Sequence, residues 1–412
     1  MWRKLGGMSG PEVAAFDVDH AVERRVEIAG KAAVVRDPNA VVRDQAAATT
    51  RARLVSLDVF RGLTVAAMVI VNNPGDWGNV YAPLLHAEWN GWTPTDLIFP
   101  FFLFIVGVSI TMSRQTLAGW ASIVRRGVVL IGLGLFLAGF PAFTPNHWRI
   151  PGVLQRIGVC YLVAATLYKT SAAWPWKQER ALMLISGVLL AGYWAVMMLT
   201  PNEHGVRGDL SPEGNVAAML DRALLSNHLW RPRWDPEGLL STVPAIATTL
   251  FGICAGLVLR LRTSRSLAVL ALWGSAGIVI GEAWHLVFPI NKNLWTSSYA
   301  VFTAGAATLL LILLYWWIDV RGHRRATHPF VVLGLNAIAL FALSALLVKT
   351  LIAIRMPAAD GTTIAMSGWI YQHWFVPLAS PKNASLLYAA ANLALLYGVL
   401  WVMYRKRVFI KI

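Results

Sequence analysis

The sequence predicts an all-α fold, a polytopic integral membrane helix bundle, and three observations support this prediction. Hydrophobic residues make up 57% of the 412 positions, and charged residues make up only 14%. The mean hydropathy of +0.55 is higher than is usual for a soluble globular domain. Several apolar runs follow one another along the chain, each of about 17 to 25 residues, which is the length that a helix needs to cross a bilayer.

Ten apolar runs predict about ten transmembrane helices, and they are 54–72, 95–113, 122–140, 152–169, 179–199, 239–260, 265–287, 297–320, 328–351 and 384–404. Segment 364–378 is also apolar, but it is short and rich in Trp, Tyr and His. We therefore expect it to be an interfacial or re-entrant piece. Gly252 and Gly256 form a small-xxx-small pair in the sixth run, which predicts close helix packing.

The distribution of Lys and Arg predicts the orientation of the bundle. Alternate connections are rich in these cations, whereas segment 73–94 has none. Since cytoplasmic loops are enriched in Lys and Arg, both termini are predicted to be cytoplasmic and 73–94 to face the outside, which is the periplasm if the membrane is a bacterial inner membrane. Topology therefore accounts for the net charge of +15, and we expect no nucleic-acid partner.

Residues 1–52 mix basic and acidic positions and lack the apolar core of a secretory signal. We expect them to form a mobile cytoplasmic tail ahead of a transmembrane domain, 53–412. The two cysteines, Cys160 and Cys254, lie inside apolar runs. They form neither a disulfide framework nor a metal-ligand spacing, so no metal is expected.

The segment between the first two runs carries the candidate catalytic residues. His86 lies in a short polar loop, and Asp96 is the only acid at the entrance of the next apolar run. Imidazole is the side chain whose free pKa lies nearest neutral, and a carboxylate can orient it by accepting its second proton. Asn72 and Asn90 can hold one tautomer or donate to an oxyanion. The alternative is that His86, as a lone interfacial histidine, has a structural role.

Aromatic side chains surround this loop and predict a site that binds a sugar. The faces of Trp77, Trp89 and Trp92 can stack on a sugar ring, and Glu88 lies among them. Trp234 belongs to the long outer loop 200–238, for which we consider two interpretations, a lid over the acceptor or a plain solvated loop.

Seven blocks of the chain resemble the heparan-alpha-glucosaminide N-acetyltransferase family, in particular its bacterial branch. They are RLVSLDVFRGLTVAAMVIVNN, HAEWNGWTPTDLIFPFFLFIVG, RIPGVLQRIGV, DPEGLLSTVPAI, NKNLWTSSYA, GLNAIALF and YRKRVFIKI. The resemblance implies transfer of an acetyl group from cytoplasmic acetyl-CoA to the amine of a terminal glucosamine across the membrane. The family's active-site histidine falls on His86, and its asparagine at the end of the preceding span falls on Asn72.

Acetyl-CoA is an anion with a long thin arm, so its binding needs cations. On the cytoplasmic side Arg125, Arg126, Arg324 and Arg325 are available for the phosphates, although the same residues also serve as topology signals. Arg156, inside the fourth run, is expected to face a carboxylate, a phosphate or a polar cavity. Arg156 and Lys292 are predicted to line the route of the pantetheine arm.

The expected partners are acetyl-CoA, an amino-sugar acceptor and the lipid bilayer, with a possible homodimer. Two other functions stay open from the sequence. One is an amino-sugar transporter, although no coupling-ion site is visible. The other is an O-acetyltransferase that acts on a hydroxyl of a surface glycan.

Overall fold

Helices occupy all ten of the predicted apolar runs. The computed structural model describes residues 54–113, 119–144, 148–357 and 361–410, so the predicted tail 1–52 lies outside it. Thirteen α-helices lie within the described residues, and they are α1 (Val55–Asn72), α2 (Ile98–Met112), α3 (Trp120–Gly139), α4 (Val153–Ser171), α5 (Gln178–Leu199), α6 (Val216–Leu225), α7 (Thr242–Leu259), α8 (Ser264–His285), α9 (Ser297–Leu314), α10 (His328–Leu335), α11 (Ala337–Ala353), α12 (Met366–Ile370) and α13 (Pro381–Arg405).

Eight helical segments among the described residues are long and apolar enough to cross a membrane. The pair α10 and α11 is bent by 78° at Asn336 and forms a ninth if it is one span. The helix α4 coincides with the predicted run 152–169, but Gln155, Arg156 and Lys169 make it less apolar. The helices are those of an integral membrane protein, whereas ten crossings and the orientation of the termini stay predictions.

Segment 364–378 is not one of the candidate spans found among the described residues. Strand β1 (Arg355–Pro357) pairs antiparallel with β2 (Thr363–Ala365), with Arg355 opposite Ala365. The short α12 follows and continues as one π-helical turn, Tyr371–Phe375. The segment is therefore not a candidate crossing, and its place at the interface or as a re-entrant piece stays a prediction.

The bundle has central and peripheral helices. In α1, α2 and α7, 61% to 67% of the membrane-spanning residues are buried, whereas in α3, α5, α8 and α13 only 22% to 28% are buried. The peripheral helices therefore expose apolar side chains, as a helix must where its neighbours are lipid tails. The central helices hold the segments that carry the candidate site.

Charged side chains form hydrogen bonds with backbone N–H or carbonyl groups at two helix ends. Asp319, in the π-helical turn Tyr315–Val320 that follows α9, accepts the backbone N–H groups of Val55 and Ser56 at 3.2 and 3.0 Å. It thereby places a negative charge at the N-terminus of α1, where the helix dipole favours it. At the opposite end of another helix, the ammonium of Lys349 donates to the carbonyls of Leu137, Ala138 and Phe140 at the C-terminus of α3.

Two glycines allow α2 and α7 to touch through their backbones. A Cβ atom on Gly252 would lie 2.1 Å from the carbonyl oxygen of Phe104, and one on Gly107 would lie 2.0 Å from that of Thr249. No side chain fits at either distance, so only glycine permits this approach. The close packing predicted from Gly252 and Gly256 is confirmed.

Replacement of Gly252 by leucine is expected to lower the free energy of unfolding in detergent by at least about 1–3 kcal/mol, because the helices must separate to admit the side chain. The measurement is the melting temperature of the purified protein. Gly132→Leu is the matched control, since Gly132 on α3 has open space around its Cβ position. Equal melting temperatures for the two variants would contradict the close approach of α2 and α7.

Candidate active site

Side-chain hydrogen bonds from Thr93 and Thr95, next to the start of α2, hold the loop that carries His86. The hydroxyl of Thr93 donates to the carbonyl of Leu85 at 2.6 Å, and that of Thr95 donates to the carbonyl of Pro83 at 3.1 Å. The 3₁₀ turn Pro94–Leu97, which precedes α2, has a capping box formed by Thr93 and Asp96. Reciprocal capping of this kind satisfies two backbone N–H groups and fixes the entry of the chain into the helix.

Asp96 orients the imidazole of His86. Its carboxylate is buried and has one oxygen 2.6 Å from Nδ1 of His86. The other oxygen accepts the backbone N–H groups of Ala87 at 3.0 Å and Thr93 at 2.9 Å. Since an ionised carboxylate only accepts, Nδ1 carries the proton and Nε2 is left for a reactant. The His86 side chain is 43% exposed, so a reactant can reach it.

Lys292 reaches the same imidazole from the turn between α8 and α9. Its Nζ lies 3.1 Å from Nδ1 and 3.1 Å from Nε2 of His86, and 3.9 Å from Oδ1 of Asp96. Burial lowers the pKa of Lys292, and the charges of Asp96 and Glu237 oppose that effect. Lys292 was predicted to line the pantetheine route towards His86, and this role stays a prediction; the structure places its amine beside the histidine itself. Its position as the single cation of segment 288–296 is the signal that pointed to it.

Asn90 joins the His86 loop to the Lys292 turn. Its Oδ1 accepts from the side-chain amide of Asn291 at 3.1 Å, and the N–H of Gly91 donates to the carbonyl of Ile290 at 2.8 Å. Asn291 is buried, and its own Oδ1 accepts the N–H of Leu294. The two segments that carry His86 and Lys292 are therefore held together by side-chain and backbone bonds that sequence reasoning missed.

Asn72 is the last residue of α1 and is exposed. Within the described residues its side chain makes no hydrogen bond, to His86 or to any other group. The next residue, Asn73, is the buried one, and it donates to the carbonyl of Val69 at 2.6 Å and to the hydroxyl of Ser344 at 3.2 Å. A catalytic role for Asn72 stays a prediction.

The structure brings together two of the predicted acceptor-site tryptophans from distant parts of the chain. Trp89 and Trp234 contact edge to face with 5.2 Å between ring centroids, and the indole N–H of Trp89 donates to the carbonyl of Leu210 at 2.8 Å. Trp92 packs on Phe302 at 4.9 Å and is 42% exposed. Trp77 and Glu88 are exposed and take part in neither ring contact.

An ion-pair cluster at the end of the outer loop was not predicted. Arg149 donates to Asp235 from Nε at 2.9 Å and from Nη2 at 2.6 Å, and it also bonds Glu237. The residues of this cluster were visible in the sequence only within the blocks RIPGVLQRIGV and DPEGLLSTVPAI. Nearby on α6, burial raises the pKa of Asp221 to about 6, while its Oδ1 accepts the N–H of Leu239. These contacts argue against a plain solvated loop, and the interpretation as a lid over the acceptor stays a prediction.

Arg156 is 2% exposed and lies next to this cluster. Its Nη2 donates to the carbonyl of Gly238 at 3.1 Å and to the hydroxyl of Ser241, and its guanidinium lies over the ring of Trp295 at 5.2 Å. Its Nε and Nη1 have no hydrogen-bond partner among the described residues. Arg156 thus faces a backbone carbonyl, a hydroxyl and an indole ring. The N–H donors on its Nε and Nη1 stay unused within the described part of the chain.

The cations predicted to hold the phosphates lie away from His86 in sequence, on α3 and in the turn before α10. Arg125 is exposed, and Arg126 lies over the ring of Tyr161 at 4.8 Å. Arg324 and Arg325 are both exposed. No cluster of three or more His, Cys, Asp or Glu side chains suited to a metal ion occurs in the described part of the chain.

Comparison with known proteins agrees with the sequence resemblance. Residues 53–206 match the family model described as heparan-alpha-glucosaminide N-acetyltransferase, catalytic. A protein of Mus musculus named heparan-alpha-glucosaminide N-acetyltransferase is 32% identical over 352 residues, which are 70% of this chain and 53% of the mouse protein. The Homo sapiens protein of the same name is 31% identical over 350 residues, which are 70% of this chain and 52% of the human protein.

The chain therefore spans about half the length of these two relatives. The dyad of His86 and Asp96 lies inside the matched catalytic region, and Lys292 lies beyond it in sequence. Residues 53–206 of the chain are therefore similar to the catalytic region of the heparan-alpha-glucosaminide N-acetyltransferase family.

Proposed function

We propose that this protein is a transmembrane acetyltransferase that moves the acetyl group of acetyl-CoA to the amine of glucosamine or of a terminal glucosaminide. The observation that carries the proposal is the imidazole of His86, whose Nδ1 lies 2.6 Å from the buried carboxylate of Asp96. A histidine that is oriented in this way leaves Nε2 available as a general base or as a nucleophile. The names of the relatives supply the reaction class and the acceptor class.

The transfer requires that the amine lose a proton while its nitrogen attacks the thioester carbonyl. In the direct path, Nε2 of His86 takes that proton, the carbon–nitrogen bond forms and the carbon–sulfur bond breaks. The imidazolium then returns the proton to the leaving thiolate. General-base catalysis of this kind typically contributes about 10²–10⁴ in rate.

The second path passes through an acetyl-imidazole on His86. In that path Nε2 attacks the thioester first, the thiolate leaves, and the amine then takes the acetyl group. Mass spectrometry of protein that is quenched with acid after mixing with acetyl-CoA, in the absence of acceptor, distinguishes the two paths. An acetylated peptide that contains His86 supports the two-step path, and its absence at every time point supports direct transfer.

We assign the donor to the cytoplasmic side of a bacterial inner membrane and the acceptor to the periplasmic side. The positive-inside pattern of the loops supports this orientation. The pantetheine arm is long and thin enough to thread a helix bundle, so that only the acetyl group crosses. On the acceptor side, the pair of Trp89 and Trp234 offers aromatic surface for a sugar ring.

A purified sample in detergent tests the proposal directly. Labelled acetyl-CoA is mixed with glucosamine, and N-acetylated product is expected to accumulate with time. Uptake of glucosamine into vesicles without acetylation would favour a transporter and reject the enzyme. Acetylated product from a hydroxyl acceptor, but none from glucosamine, would keep the enzyme and replace the amine by a hydroxyl.

Replacement of both Arg324 and Arg325 by alanine is expected to weaken acetyl-CoA binding by about tenfold or more, because a charge-assisted hydrogen bond contributes about 1.5–3 kcal/mol. The measurement is the Kd for CoA by calorimetry or fluorescence. Acceptor binding is expected to stay unchanged. Arg207→Ala with Arg233→Ala is the matched control, since it removes the same charge from the outer loop. Unchanged donor affinity in the Arg324/Arg325 variant would remove these residues from the donor site.

A further inference from the structure

We propose that Lys292 is a further catalytic residue of this site, whose ammonium holds the carbonyl oxygen of the acetyl group while that oxygen becomes negative. This inference rests on the proposed acetyl transfer. It goes beyond that proposal because it assigns the oxyanion partner, which the sequence suggested to be Asn72 or Asn90.

The amine of Lys292 lies close to both nitrogens of the His86 imidazole. Nζ of Lys292 lies at the same distance, 3.1 Å, from both ring nitrogens of His86. An amine in the plane of the ring at that distance from both would collide with the carbon between them. The ammonium therefore lies over the ring face, and the in-plane lone pair of Nε2 stays open to a reactant.

This geometry suits a tetrahedral intermediate. A carbonyl carbon that approaches Nε2 in the ring plane, or an amine nitrogen that approaches it for proton transfer, places the carbonyl oxygen to one side of that plane. The Lys292 ammonium occupies one such side at hydrogen-bonding distance from the ring. A donor aimed at the place where charge develops is the arrangement that lowers the barrier to acyl transfer.

Lys292 also has unused donor capacity. The lysine side chain is only 19% exposed, and its nearest carboxylate oxygen, on Asp96, lies at 3.9 Å. Among the described residues, the ring nitrogens of His86 are the only side-chain or backbone acceptor atoms within hydrogen-bonding distance of Nζ, and an ammonium over the ring face does not point at their in-plane positions. An ammonium has three N–H groups, so at least two are free for a substrate.

Charged groups of both signs surround the Lys292 side chain, and burial outweighs them in lowering its pKa. Asp96 and Glu237 favour its protonated form, whereas burial and the charge of Arg156 disfavour it. His86 is the remaining titratable group in contact with it. Asn90, by comparison, has its Oδ1 bound to Asn291, and the Asn72 side chain makes no hydrogen bond to His86 among the described residues.

The step balances without any further reactant. The bond between the acceptor nitrogen and the carbonyl carbon forms, and the amine proton passes to Nε2. The carbonyl oxygen carries the negative charge and accepts a hydrogen bond from Lys292. The carbonyl double bond then re-forms, the carbon–sulfur bond breaks, and the thiolate takes the proton from the imidazolium.

The first test compares Lys292→Met with Lys292→Arg and with the wild type. The methionine variant is expected to lose about 10²–10³ in kcat, which is the usual effect of removing one oxyanion donor. The arginine variant is expected to recover part of that loss, because it restores a cation with N–H donors. Lys382→Met, at an exposed lysine that contacts the ring of Tyr81, is the matched control and is expected to keep wild-type turnover.

The second test is the pH profile of kcat, which a purely structural lysine would not change. The pKa of Lys292 is lowered by burial, so wild-type turnover is expected to fall on the alkaline side as the ammonium loses its proton. In Lys292→Arg this decline is expected to move to higher pH, since arginine stays protonated. An alkaline limb at the same pH in both proteins would overturn the proposal.

CoA binding separates this proposal from the function on which it rests. CoA has no acetyl carbonyl, so Lys292→Met is expected to bind it with wild-type affinity, measured by calorimetry. Loss of CoA binding by Lys292→Met, or wild-type kcat in that variant, would reject Lys292 as the oxyanion partner while leaving the acetyltransferase intact. Absence of acetyl transfer by the wild type would instead reject the proposed function itself.

Discussion

Replacement of His86 by alanine is expected to lower the rate of acetyl transfer by at least about 10²-fold, because the general base or the acetyl carrier is lost. The fold is expected to persist, since the His86 side chain is 43% exposed and the loop around it is held by Thr93 and Thr95. The measurement is turnover with saturating acetyl-CoA and glucosamine, alongside the melting temperature of the same sample.

His204→Ala is the matched control for this variant. His204 lies in the outer loop with a side chain that is 74% exposed, so its loss is expected to leave turnover unchanged. Near-normal turnover by His86→Ala would remove the histidine from the mechanism. It would then leave His86 with the structural role that a lone interfacial histidine often has.

Replacement of Asp96 by asparagine is expected to lower turnover by about 10²-fold or more, because it reverses the imidazole tautomer. The amide has one accepting atom in place of two. Its oxygen is expected to stay with the backbone N–H groups of Ala87 and Thr93, which donate to one carboxylate oxygen at 3.0 and 2.9 Å. The NH₂ group then faces Nδ1 of His86, so the ring proton moves to Nε2 and the base is lost.

A double-mutant cycle tests whether Asp96 acts through His86. If the two residues work as one unit, His86→Ala with Asp96→Asn is expected to be no slower than His86→Ala alone. A further loss in the double variant that equals the loss from Asp96→Asn alone would show that Asp96 acts independently of the histidine. Asp209→Asn serves as the control for the loss of an acid. Asp209 lies in the outer loop, where its carboxylate accepts the backbone N–H of Ser211.

The helices could be predicted because hydrophobicity along the chain reports local structure. Each of the ten apolar runs is helical, and the pair of Gly252 and Gly256 lies where two helix backbones touch. The bend between α10 and α11 was not predicted, although Gly334 lies two residues before Asn336 at the break. The helix α4 carries polar residues, so whether it crosses the membrane depends on how those residues pack. Hydropathy does not report packing.

The candidate site could be predicted only in part. His86 and Asp96 are ten residues apart, so one loop and one helix entrance bring them together. Lys292 is 206 residues from His86, and Trp234 is far in sequence from Trp89, so neither contact follows from local spacing. The cluster of Arg149, Asp235 and Glu237 could not be predicted for the same reason, because an ion pair between distant residues depends on how the helices pack.

By itself, the sequence determined that the chain forms a bundle of apolar helices, that it resembles an acetyltransferase family, and that a histidine and an acid lie at one helix entrance. These properties depend on residues that are close together along the chain or on matching blocks. Only the tertiary structure decided which cation lies over the imidazole, which tryptophans meet, and which asparagine joins the two loops. Those contacts connect segments separated by whole membrane helices, so the packing of α2, α7, α8 and α9 determines them.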